Sequence, residues 1–402
     1  MWLDKYLVFP DELFDFIKIR FGYGKIFKKR ADYSKKSEEM KYCYECVRKT
    51  LPGFSSCQEA LQPEEVSDAV GVVGSIMRAL DEIEDDTTIP AVKRRKMLKE
   101  FYTYLEDPGW CYPNCKSKFP KYVREFPKIS AAYRSLPPEY RAPVSKLIEV
   151  IGVLMGNFID FKFKTVEEML EYQDSAGAQV CVHVAKIISV ADGEDYSKKI
   201  EAGLNKGFKL VAGTLTVRDY YEDAVYDHLK WPSEMLDKYC KDPLELLDKK
   251  NRKSAIHLLN EMVTVQMEII PEFLPLYKDC TDKESWFQYT SIPPAVAFAI
   301  LDMAYNTACS FRPKNEFRLG ALVKVAEACY DLDGTMSVYH YYAKKIHGRV
   351  QADDPNAERT KNICKQIMEI AQTERVFNPV RGNIVSTAIT VGTIAMGIAA
   401  LF

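Results

Sequence analysis

Two strings decide how this chain folds: RALDEIEDD, residues 78–86, and RDYYED, residues 218–223. Both contain Asp-x-x-Glu-Asp, as Asp81/Glu84/Asp85 and Asp219/Glu222/Asp223. Residues at i, i+3 and i+4 share one face of an α-helix, so each string aims three carboxylates into one patch. Like charges on one face repel unless cations offset them. Arg78 stands three residues before Asp81, and Arg218 directly precedes Asp219. Hard divalent cations prefer carboxylate oxygen, and Mg²⁺ usually takes one or two carboxylates and completes its shell with water and phosphate oxygen. Two such helices facing across a cavity would hold a diphosphate through bridging Mg²⁺ and stabilise it as the leaving group while an ester ionises to a carbocation. One acidic triplet alone reads as solvated, Lys-paired surface. Its recurrence 138 residues later favours a site. Aromatic π faces stabilise a carbocation, which makes Phe54, Tyr172, Phe298 and Tyr305 candidate lining, although each also suits plain core packing.

Outward from these strings, apolar residues recur at helical spacing from about Ser34 to Glu374, and the body reads as all-α. Expected helices include Lys36 to Thr50, Val66 to Asp86, Pro138 to Phe161, Thr165 to Ile188, Glu201 to Tyr226, Pro294 to Thr307 and Leu319 to Lys345, with breaks at Pro137-Pro138 and Pro293-Pro294. Residues 34–350 form one expected helical domain, after an N-terminal segment 1–33. The polar, Pro-containing QADDPNAERT, residues 351–360, opens a linker and C-terminal helix, 351–383.

The chain has 402 residues, with 55 Lys+Arg against 57 Asp+Glu and a net charge of −2, so nucleic acid finds no global electrostatic footprint. Hydrophobic residues at 47 % supply a large core and exclude disorder. Asp4, Lys5 and Pro10 interrupt any signal-peptide core, and eleven cysteines, an odd number, read as free thiols of a reducing compartment. Cys43/Cys46 and Cys111/Cys115 have spacings that zinc can use, but no third pair or nearby His completes a set. Ile384 to Phe402 is a run of 19 uncharged residues behind Arg375 and Arg381. As a helix it spans about 28 Å, close to the ~30 Å hydrocarbon core, and the basic flank keeps the body cytosolic. A tail anchor is expected; a soluble helix docked on the body is the other reading.

These residues, in this order, resemble the squalene/phytoene synthase family, the eukaryotic squalene synthases in particular. The likeness runs from about Tyr42 to Gln372 and includes Tyr42-Cys43-Tyr44, Arg78 to Asp86, Phe126-Pro127-Lys128-Ile129-Ser130, Arg218 to Asp223, Trp231-Pro232, Ile292-Pro293 and Asp353-Asp354-Pro355. The resemblance implies an isoprenoid synthase helical bundle that joins two farnesyl diphosphates head to head through presqualene diphosphate and reduces this with NADPH to squalene, anchored in the endoplasmic reticulum membrane with its body in the cytosol. On matching positions, Asp81, Glu84, Asp85, Asp219, Glu222 and Asp223 hold Mg²⁺, and Arg78, Lys116, Lys118 and Arg218 surround diphosphate. Tyr172 falls at the family's catalytic tyrosine. An unperturbed phenol near pKa ~10 is a poor base, so the departing diphosphate must help it take a proton.

The chain also departs from the pattern. Leu51-Pro52-Gly53-Phe54 replaces Ser-Arg-Ser-Phe, which removes an arginine whose diphosphate contact Pro cannot supply. Gln173 to Ala178 replaces Cys-His-Tyr-Val-Ala-Gly; Gly74, Leu215 and His228 stand where a tyrosine, an asparagine and an arginine are usual. Three readings stay open: the full squalene reaction, a terpene synthase that ionises a single prenyl diphosphate without NADPH or stops at the cyclopropyl diphosphate, and a non-catalytic prenyl-diphosphate binder. No Gly-x-Gly-x-x-Gly fingerprint appears, so NADPH rests on the resemblance alone. Oligomeric state is open, with a monomer favoured.

Overall fold

The computed structural model describes residues 35–50, 58–59, 61, 63–281, 284–313 and 319–379. Among these residues there are helices and turns but no strand, as the 3.6-residue spacing of apolar side chains requires. They sort into two compact units, divided at Lys209/Leu210.

In the first unit, α1 (Glu38–Thr50) and α2 (Glu64–Asp85) pack through small and polar contacts: Ser75 Oγ donates to the Cys43 carbonyl at 2.9 Å, and the Tyr44 hydroxyl donates to Asp68 at 2.7 Å. Val72, Val73, Ile76, Ala79, Leu80 and Ile83 turn the other apolar positions of α2 into core. α3 (Ala91–Lys99), α4 (Phe126–Ser135) and α5 (Pro138–Phe158) enclose it. α6 (Val166–Gln173) starts at a capping box between Thr165 and Glu168, runs into a π-helical turn, Asp174–Ala178, and continues as α7 (Gln179–Asp192). The helix expected over Thr165 to Ile188 is therefore interrupted by one wider turn.

The second unit takes up the chain within α8 (Asn205–Arg218), followed by α9 (Tyr220–Val225), α10 (Arg252–Met267), α11 (Glu284–Ala304), α12 (Leu319–Ala328), α13 (Leu332–His347) and α14 (Ala357–Ile370). The helix expected over Glu201 to Tyr226 is divided into α8 and α9 after a turn with Gly203 at φ 140°, and three further features differ from the sequence expectation. Pro293 and Pro294 lie inside α11 rather than at its start. Pro294 cannot donate to the Thr290 carbonyl, and the Tyr277 hydroxyl donates to it instead at 3.0 Å, which removes the cost of the missing bond. The helix expected over Leu319 to Lys345 is two helices, because the Asp331 carboxylate caps α13 by accepting the Gly334 N–H at 2.8 Å. Residues 351–360 are held down, not loose: buried Asp354 accepts from Asn260 Nδ2 at 2.7 Å, and Thr360 Oγ1 meets Thr264 Oγ1 at 2.7 Å.

Among the described residues no helix is long and apolar enough to cross a membrane, and the expected anchor, Ile384 to Phe402, lies outside them.

Candidate active site

The C-terminal turns of α2 place Asp81 and Asp85 one turn apart, with side chains 41 % and 56 % exposed, and leave Glu84 half-buried. Arg78, only 13 % exposed, reaches both exposed aspartates and a buried neighbour: Nη1 is 3.4 Å from Asp81, and Nη2 is 2.6 Å from Glu82 and 3.8 Å from Asp85. Its guanidinium lies over the Phe119 ring at 5.6 Å. Burial alone would lower the arginine pKa, but the Asp81, Glu82 and Asp85 charges outweigh it and raise it. Arg78 therefore stays cationic within the acidic patch and offsets the repulsion among its carboxylates.

Glu82 and Asp86, two acids the motif reading passed over, point inward. Glu82 is fully buried, and its Oε2 accepts the Phe119 N–H at 2.7 Å. Asp86 is 2 % exposed; Oδ1 accepts the Thr88 N–H and hydroxyl at 3.0 and 2.6 Å, and Oδ2 accepts the Lys116 N–H at 2.7 Å. Burial would push the Asp86 carboxyl up, but these donors outweigh it and hold it below the usual range. Arg124 also donates to the Cys115 carbonyl. The loop Cys115–Phe119 is thus fixed by its backbone at the end of α2, with Lys116 and Lys118 exposed on it.

In the second motif α8 ends at Arg218 and α9 begins at Tyr220, yet Asp219 N–H donates to Leu215 O at 3.0 Å and Asp223 N–H to Asp219 O at 2.9 Å. These two bonds bridge a local break at Asp219 (φ −95°, ψ 11°), which caps α9, and keep Asp219, Glu222 and Asp223 within one turn of chain. Arg218 grips Asp219 with both ends of its fork, at 2.6 and 2.7 Å. Burial would lower the Arg218 pKa, and the bond and charge of Asp219 reverse this and raise it. Tyr220, next in sequence, is fully buried, edge-on to Trp231 at 5.0 Å and hydrogen bonded to Pro243 O at 3.0 Å. Trp231 Nε1 in turn donates to Thr216 O at 3.1 Å, so the two aromatic anchors fix the motif's orientation. Past it, Asp227 sits in the left-handed region at φ 57°, and His228 N–H returns to Asp223 O at 2.7 Å.

Tyr172 is half-buried on α6, its ring 4.7 Å from Phe158 and 5.4 Å from Phe163, one residue before the buried Gln173 and the π turn. π turns occur disproportionately at functional sites. Phe298 is fully buried and stacked on Tyr339 at 5.5 Å, and Tyr305 is fully buried beneath Arg349. Burial first, then the Asp354 charge, push the Tyr305 phenol up to about 12. Both rings belong to the packing of the second unit. Phe54 and Leu51-Pro52-Gly53 lie outside the described residues. Among the described residues no three His, Cys, Asp or Glu side chains converge tightly enough to hold a metal by themselves, and Cys43, Cys46, Cys111 and Cys115 are free thiols.

The sequence profile of squalene/phytoene synthases matches residues 58–316, and the chain belongs to that family. It is 27 % identical to the squalene synthase of Mus musculus over 365 residues, 90 % of this chain and 87 % of the mouse protein. It is also 26 % identical over 366 residues to a protein of Arabidopsis thaliana named inactive squalene synthase 2, again 90 % of this chain and 87 % of the relative. A solved structure of TcSQS in complex with a ligand superposes with a TM-score of 0.75 at 23 % identity, over 84 % of this chain and 100 % of that one; this likeness concerns the fold.

Proposed function

We propose that the chain is a Mg²⁺-dependent enzyme that ionises a prenyl diphosphate, and that its reaction is the head-to-head joining of two farnesyl diphosphates to presqualene diphosphate and then, with NADPH, to squalene. The observation that carries the proposal is the surface at the end of α2, where exposed Asp81 and Asp85 stand beside cationic Arg78 and a fixed loop bearing Lys116 and Lys118. Hard oxygen donors next to cations suit a metal and a polyanion together better than either alone. Asp81, Glu84, Asp85, Asp219, Glu222 and Asp223 are the proposed ligands, and bound Mg²⁺ would stabilise the charge growing on diphosphate as the carbon–oxygen bond breaks. Arg78, Lys116 and Lys118 beside the first motif, and Arg218 beside the second, are the proposed diphosphate-binding cations, and Tyr172 would pass the proton lost as the cyclopropane closes to the departing diphosphate.

A second reading is favoured by particular residues. Gly74 is buried in α2, Leu215 is an exposed apolar side chain one turn before Asp219, and His228 turns back onto Asp223. None of these supplies the polar group usual at its position, and a relative of similar identity is named inactive. The alternative is ionisation of a single prenyl diphosphate without NADPH, or binding without turnover.

Incubation with farnesyl diphosphate and Mg²⁺, with and without NADPH, followed by gas chromatography and mass spectrometry after phosphatase treatment, separates these readings. Squalene is expected, and only with NADPH. A C15 alcohol or hydrocarbon irrespective of NADPH establishes the single-substrate enzyme, and retained Mg²⁺-dependent binding without turnover establishes the binder.

We further propose that Ile384 to Phe402 anchors the chain in the endoplasmic reticulum membrane with its body in the cytosol, supported by the uncharged length of that run and its basic flank. Its deletion is expected to move the protein from the membrane pellet to the soluble fraction with catalysis retained. A full-length chain already in the soluble fraction would count against the anchor.

A further inference from the structure

The acids of the first motif divide by burial. Asp81 and Asp85 reach solvent, whereas Glu82 and Asp86 are removed from it, and each turns one oxygen, Oε2 and Oδ2, to a backbone N–H of the Cys115–Phe119 loop. Burying a carboxylate is costly unless its charge is offset and its oxygens accept hydrogen bonds. For Glu82 the Arg78 charge lies 2.6 Å from Oε1, and Oε2 accepts the Phe119 N–H at 2.7 Å. Asp86 has three donors, from Thr88 and Lys116. Neither residue has an exposed lone pair with which to reach a ligand, so their effect is exerted through the loop. Their two anchor points, Lys116 and Phe119, bracket Ser117 and Lys118, so each proposed phosphate-binding lysine either carries a fixed amide or lies between two fixed amides. The Phe119 ring in turn lies against the Arg78 guanidinium.

We propose that Glu82 and Asp86 are positioning residues, a two-carboxylate latch that holds the Cys115–Phe119 loop so that Lys116, Lys118 and Arg78 meet diphosphate in one fixed geometry. The inference rests on the prenyl-diphosphate reading above and adds residues that take no part in metal binding. A lysine is a point charge on a flexible stem, and its contribution to a phosphate site depends on where its backbone is held. The latch fixes that backbone directly from the helix that bears the metal-binding acids.

The test uses the full chain in detergent, with inorganic diphosphate and Mg²⁺ as the probe in titration calorimetry. Asp86→Asn can present an oxygen to Thr88 or to Lys116 but not to both, and its amide opposes the remaining N–H. Glu82→Gln keeps an acceptor for Phe119 but turns a donor toward Arg78. Each is expected to raise the diphosphate Kd about tenfold with unchanged helicity by circular dichroism. In a Lys116→Ala/Lys118→Ala background, Asp86→Asn should change Kd by less than about twofold, because the interaction it supports is already gone. A merely structural role would give the same change in both backgrounds and would overturn the latch, as would wild-type affinity in the single variants. If the unaltered chain binds no Mg²⁺-diphosphate, the underlying reading fails first. For a variant that does not fold, hydrogen exchange on the unaltered chain decides: protected Lys116 and Phe119 amides support the latch, and exchange at the unprotected rate refutes it.

Discussion

Asp81→Asn is expected to cut diphosphate release from a prenyl diphosphate about a thousandfold while leaving helicity and melting temperature close to those of the parent chain. The two halves of this expectation come from different features of one side chain. Asp81 is 41 % exposed on the outer face of α2, and its contact with Arg78, at 3.4 Å, is the longer of that arginine's two nearest pairs. Exchanging a partly solvated carboxylate for its amide isostere changes stability by about 0.5 kcal/mol or less. A hard cation distinguishes the two groups sharply, because the amide oxygen brings no negative charge to the metal. Asp219→Asn should be equally damaging to turnover. It costs somewhat more stability, because Asp219 accepts both arms of the Arg218 fork and an amide accepts only one. Diphosphate release is followed with a coupled phosphate assay after pyrophosphatase. Turnover surviving both changes would sink the assignment of the two motifs as metal platforms.

The motifs and most helices were legible because their signals are local. Apolar spacing alone gave Val66 to Asp86 for a helix observed over Glu64–Asp85, and the DxxED repeat needed only the geometry of a helical face. What was not legible depends on partners distant in sequence. Pro293-Pro294 reads as a break until Tyr277, from another element, supplies the hydroxyl that satisfies the Thr290 carbonyl. Asp354 reads as linker until Asn260, 94 residues away, meets it in the interior. Within the first motif, Glu82 and Asp86 have the same side-chain chemistry as Asp81 and Asp85, so only burial separates those that hold the loop from those that face solvent. Phe298 and Tyr305 were ambiguous for the opposite reason: an aromatic residue on a helix carries no mark of whether it will meet a cavity or another ring.

Gly177→Ala is expected to destabilise the chain by about 3 kcal/mol, well above the ordinary cost of a single substitution. Gly177 lies in the π turn five residues past Tyr172, and a Cβ placed there would stand 2.2 Å from the Phe208 carbonyl oxygen, 2.7 Å from its carbon and 3.0 Å from the Lys209 nitrogen. All three neighbours are backbone, so no rotamer change relieves the overlap, and two helical segments must part by more than an ångström. Parting them forfeits the dispersion contacts of both surfaces. The Tyr172 ring packs on Phe158 and Phe163 from the helix that runs into this turn, so a displaced turn also moves the phenol from the place where the proposed proton transfer needs it. Gly193→Ala is the internal comparison: that glycine has φ +70° but nothing within 4 Å, so its replacement costs only the backbone penalty of the left-handed region, about 1 kcal/mol. Urea unfolding of the two variants separates the effects, with Gly177→Ala expected at the lower midpoint and Gly193→Ala near the parent. If Gly177→Ala proves no more destabilising than Gly193→Ala, the close approach of the π turn to Phe208 is not a feature of the folded chain, and Tyr172 loses the support that fixes its place in the proposed reaction.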